Sequence, residues 1–91
     1  MESRSRVRPI EQLEHVEAYY ERELGYIPDA EKLQFFSKAI QNGLTFNELW
    51  AAIDYALSVC GYGAHERDYW PHIQKEARRI WKEVKKEKAA P

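Results

Sequence analysis

Apolar residues recur at intervals of three and four along almost the whole chain, and no stretch alternates apolar and polar residues with a period of two. That spacing lines apolar side chains on one stripe of a helix and leaves nothing to form the half-buried face of a sheet. Gly25, Asn42-Gly43 and Gly61-Tyr62-Gly63 interrupt the pattern and divide it into four segments. With 91 residues, the chain is predicted to be one compact all-α domain of four helices, with a basic C-terminal helix. A domain this short buries only about two-thirds of its extended surface. The 13% aromatic content supplies large apolar areas to make that core sufficient.

The first helix is expected over Pro9 to Leu24. Proline suits the first turn, and Ile10, Leu13, Val16, Tyr20 and Leu24 make the stripe. The second is expected from Pro28 or Asp29 to Asn42, with Asp29 as N-cap and Leu33, Phe36 and Ile40 facing inward. The third has the clearest start. Thr45-Phe46-Asn47-Glu48 has the form of a capping box, and Leu44 and Leu49 stand where a hydrophobic staple packs. Leu49, Ile53, Ala56, Leu57 and Cys60 form its inner face. The fourth is expected to begin between Glu66 and Pro71 and to run to about Glu87, on a stripe of Ile73, Ala77, Ile80, Trp81 and Val84. Residues 1–8 are expected to form a flexible basic arm carrying Arg4, Arg6 and Arg8, and residues 89–91 a frayed tail.

Charge is segregated along the chain. Residues 1–8 carry net +2, residues 9–74 net −7 and residues 75–91 net +4, for a total of −1. On a helical wheel of about 100° per residue, Lys75, Arg78, Arg79, Lys82, Lys85 and Lys86 fall together opposite the apolar stripe, with Glu76, Glu83 and Glu87 on one flank. Lysines in the last turns complement the helix macrodipole, which accounts for Lys85, Lys86 and Lys88. It does not account for Lys75, Arg78 and Arg79, which lie earlier in the helix. Two readings are open: a solvated face, or a row of contacts to a phosphate backbone, which would be independent of base sequence. Tyr69 and Trp70 precede the row and are either packing residues or stacking partners for unpaired bases. Ile73 and Trp81 lie on the stripe and are expected to be structural.

In the first helix Glu14, Glu17 and Glu21 line one strip. That strip is either solvated or docks on a basic surface of a second copy or of another protein. His65 and His72 flank Glu66 and Asp68, the one arrangement with any metal-binding spacing, and Cys60 falls on an apolar face. No nucleophile–base pair and no glycine-rich phosphate loop is present, so a non-enzyme without cofactors is expected. A single cysteine, no apolar run of membrane-spanning length and a polar start favour a cytoplasmic protein with no membrane partner.

Tyr19-Tyr20-Glu21-Arg22-Glu23-Leu24-Gly25 followed by Ile27-Pro28-Asp29-Ala30-Glu31-Lys32-Leu33 resembles the opening of the DnaD-like domain of bacterial and phage replication-initiation (primosome) proteins. Asn42-Gly43-Leu44 and Glu48-Leu49-Trp50-Ala51-Ala52-Ile53-Asp54-Tyr55-Ala56 resemble its middle helices, and Tyr69, Ile73, Ile80 and Trp81 its closing pattern. The likeness covers roughly residues 16–83. Trp81 lies eight residues after Ile73, where the family usually has seven, and Trp70-Pro71 stands where it has isoleucine. The resemblance implies a helical module that binds DNA, single-stranded or duplex, with little sequence preference, and helps assemble a replicative helicase or its loader. This chain would be that module standing alone, of the kind a prophage encodes. Carried over, it nominates Tyr69, Ile73 and Trp81, with Arg78, Arg79, Lys82, Lys85 and Lys86 as phosphate contacts.

Overall fold

The computed structural model describes residues 9–89. They form four helices, α1 Pro9–Leu24, α2 Ala30–Gln41, α3 Phe46–Cys60 and α4 Glu66–Ala89, with no strand among the described residues. The protein is an all-α four-helix domain. The basic arm predicted for residues 1–8 lies outside the described residues, as do positions 90 and 91 of the predicted frayed tail. Ala89 is the last helical residue described.

The local signals act where the spacing puts them. Asp29 caps α2 by accepting from the Lys32 amide at 3.0 Å, so the helix proper starts at Ala30 and Asn42 serves as its C-cap. Thr45 Oγ1 accepts from the Glu48 amide at 3.3 Å, and Glu48 Oε1 accepts from the Thr45 amide at 2.8 Å, which closes the capping box. A third donor at this end is met from another helix. Gln12 of α1, 5% exposed, accepts the Phe46 amide at 3.1 Å and so ties α1 to the start of α3. Gly61 ends α3 at φ +83° and ψ 164°, a region essentially reserved for glycine, where a residue with a Cβ is strained by about 1–3 kcal/mol.

α1 packs chiefly on α2 and α3, and α4 chiefly on α3. Val16, Tyr20, Phe36, Leu49, Ile53, Tyr69 and Ile73 are the large residues at the centre of one continuous core. α2 meets α4 through rings: Phe35 and Phe36 lie edge-on to Trp70 at 5.4 and 5.6 Å, and Phe35 to Trp81 at 6.3 Å.

α4 starts at the early end of the expected range, with Pro71 as its sixth residue. Proline there removes the amide that would bond the carbonyl four residues back, at Arg67. Bonds between side chains of this first turn and groups outside the helix hold it in place. The Tyr69 hydroxyl donates to the Gly61 carbonyl at 2.6 Å and accepts from the Ala64 amide at 3.2 Å. Glu66 accepts from the Tyr20 hydroxyl at 2.7 Å, and the Lys32 ammonium lies 4.0 Å from Glu66 and 3.3 Å from Asp29. One polar knot thus joins α1, α2 and α4 at one end of the bundle.

Two tyrosines of α1 make the fold sensitive to alkali. The hydrogen bond to Asp54 is the main cause that pushes the Tyr19 phenol up to about 12, followed by burial. Burial first, and then the bond to Glu66, holds the Tyr20 phenol far above its ordinary range. Both favour the neutral phenol in the folded state. Their stabilisation is complete below about pH 10, where an unfolded tyrosine begins to ionise, and is lost as pH rises through the raised folded values. A phenolate absorbance titration is expected to show a late step coinciding with loss of helical circular dichroism. One step near pH 10 with the helices intact would contradict the Tyr20–Glu66 contact.

Candidate nucleic-acid interface

α4 carries the candidate site because its buried stripe and its cations occupy opposite sides. Tyr69, Ile73, Ala77 and Val84 are buried, which orients the helix on the core. Lys75, Arg78, Arg79, Lys82, Lys85 and Lys86 are all exposed. From Lys75 to Lys86 the helix rises about 16 Å, so the charges form a ribbon along it.

The six cations are not equivalent. Arg79 is held by Glu76 in a two-pronged pair at 2.6 and 3.1 Å. The guanidinium hydrogen bond and charge lower the Glu76 carboxyl below its usual range, and the same carboxylate raises Arg79. Arg79, expected as a phosphate contact, thus differs from the other five cations in that much of its donor fork is engaged. Arg78 lies over the Phe35 ring at 5.7 Å to the centroid, a contact that leaves its N–H groups available. Lys75, Lys82, Lys85 and Lys86 make no ion pair among the described residues.

The aromatic part of the sequence-derived site is corrected. Tyr69 is fully buried and its hydroxyl is doubly bonded to the α3–α4 loop, so it presents no face to a base. Trp70 is half-buried, edge-on to Phe35 and Phe36, with the Lys32 ammonium 5.3 Å over its ring; it packs α4 against α2. Ile73 is fully buried and Trp81 half-buried. The Trp81 indole N–H is buried without a partner among the described residues.

A tyrosine that the sequence reading passed over stands in the place those two were given. Tyr55, on the outer side of α3, is exposed and lies beside the cationic face of α4. The available signal was its position on the wheel, about 200° from Ile53, where an aromatic has no core to enter.

Glu14 and Glu21 of the acidic strip are exposed and Glu17 is half-buried; none forms an ion pair among the described residues. The Cys60 thiol donates to the Asp68 carbonyl at 3.4 Å. Among the described residues no group of three or more histidines, cysteines and carboxylates is placed to hold a metal ion, and no helix is long and apolar enough to cross a membrane. Comparison of the chain with protein-family models, curated proteins and solved structures finds no match to any of the three.

Proposed function

We propose that this domain is a non-catalytic nucleic-acid-binding module, a replication accessory of the DnaD-like kind, that holds a phosphate backbone along the outer face of α4 without reading base sequence. The observation that carries this reading is the ribbon of Lys75, Arg78, Lys82, Lys85 and Lys86, exposed over about 16 Å and free of acidic partners among the described residues. Successive phosphates of one duplex strand are about 3.4 Å apart along the axis, so a ribbon of this length spans about five of them. Lysine and arginine at the end of flexible stems match phosphate positions without specifying bases.

A salt titration of binding to labelled DNA tests the reading. Five neutralised phosphates give log affinity against log salt a slope of about −4.5 on duplex and −3.5 on a single strand. Absence of binding at low salt, or a slope near zero, would refute it. In that event the strip of Glu14, Glu17 and Glu21, without ion pairs among the described residues, favours a second reading. The domain would then dock a basic surface of another copy or of a replication protein such as a helicase or its loader, and touch no DNA.

A further inference from the structure

The cationic face has an aromatic neighbour on a different helix. Tyr55 of α3 is 38% exposed, and its ring meets His72 of α4 edge-on, with centroids 6.2 Å apart and planes at 66°. Together with Pro71, Lys75, Glu76, Arg78, Arg79 and Lys82 it lines a groove of about 660 Å³, in which the Glu76 carboxylate is paired with Arg79. The edge-on contact holds the ring in place without enclosing it, and the tyrosine hydroxyl has no protein hydrogen bond among the described residues. Asp54 and Ser58 beside Tyr55 are exposed and polar.

An unpaired strand offers alternating phosphates and open base faces. A ring set beside a row of cations can take both. A duplex cannot use the ring, because its bases are already stacked on one another. Building on the backbone-binding reading above, we infer that the α3–α4 groove takes a single strand. Tyr55 stacks on one base, Lys75 and Lys82 hold the flanking phosphates, and Arg79, fixed by Glu76, forms one wall of the groove. Tyr55 is thereby the residue that sets the strand preference.

The test is binding of the full chain to a labelled oligothymidine of about a dozen nucleotides, within the span of one small-domain site, and to a duplex of equal length. The parent is expected to prefer the single strand. Tyr55→Leu covers His72 equally well but has no aromatic face; it should weaken single-strand binding about 5- to 150-fold and leave duplex binding little changed. Tyr55→Phe should retain the preference. Equal affinity of the parent for both forms, or single-strand binding unchanged in folded Tyr55→Leu, overturns the inference while leaving backbone binding intact. Loss of duplex and single-strand binding by the same factor in Tyr55→Leu would also overturn it. No binding of either form by the parent would remove both readings together.

Discussion

Replacing Arg78 and Lys82 together with glutamate is expected to eliminate DNA binding at moderate salt while α4 stays folded. Each reversal removes one cation–phosphate attraction and adds one repulsion. A charge pair about 4 Å apart in water is worth about 1 kcal/mol, so two reversals amount to roughly 4 kcal/mol, or a loss of several hundredfold or more. The slope of log affinity against log salt should also become shallower by about two, because two phosphate contacts are gone. Both side chains are exposed, so the core is untouched. Arg78 gives up its place over Phe35, which costs about 0.5–1 kcal/mol at an exposed site, a few degrees in melting temperature for a domain of this size. Helical circular dichroism and anisotropy of labelled DNA decide the matter. Parental affinity in the folded double variant would exclude α4 as the binding face.

Tyr69→Ala is expected to take the largest share of the fold's stability of any single substitution. The ring is fully buried, and truncating a buried aromatic to alanine costs about 3–5 kcal/mol. The hydroxyl also serves the Gly61 carbonyl and the Ala64 amide, and leaving such groups without a partner adds about 1–3 kcal/mol. A domain of this class has roughly 5–15 kcal/mol in all, so the variant should be largely unfolded or close to it at 37 °C. Tyr69→Phe keeps the ring and should lose only the hydroxyl's part, with DNA affinity preserved. Urea denaturation separates the two variants. A midpoint for Tyr69→Ala equal to that of the parent would mean that the loop is not stapled by this side chain.

Much of the fold is legible in the sequence because its determinants are local. The capping box at Thr45 and Glu48, the cap at Asp29 and the three-and-four spacing act within a turn or two of chain, and the helices begin and end close to where those residues stand. The cationic ribbon is legible for the same reason, since a wheel through Ile73 needs only helix geometry. Even the engagement of Arg79 was available from its spacing of three from Glu76. The aromatics were harder to read. Tyr69 lies four residues before Ile73 and belongs to the same stripe, but only if α4 already exists at that point. Pro71 obscures this, because proline in a helix interior costs a hydrogen bond that nothing local repays. The bonds that hold the turn come from Tyr20, forty-six residues away, and from a loop whose path is set by packing. Gln12 and Lys32 are of the same kind: polar residues whose burial makes sense only once a second helix is in position. Tyr55 next to Lys75 is likewise a product of how α3 crosses α4.

The separation of an acidic body from a basic ribbon also determines over what distance the two are felt. At 0.15 M ionic strength the screening length is about 8 Å, shorter than the narrowest dimension of the domain, 19 Å. A polyanion on α4 is then screened from carboxylates farther away than a few such lengths. At 0.01 M the screening length is about 30 Å, greater than two of the three dimensions of 43, 23 and 19 Å. The whole molecule, net −1 and acidic over residues 9–74, then acts on the bound strand. Lowering the salt strengthens the ribbon and the opposing body together, so the gain in affinity flattens at the dilute end. An ionic strength near that of the cell is where this charge arrangement isolates α4 best.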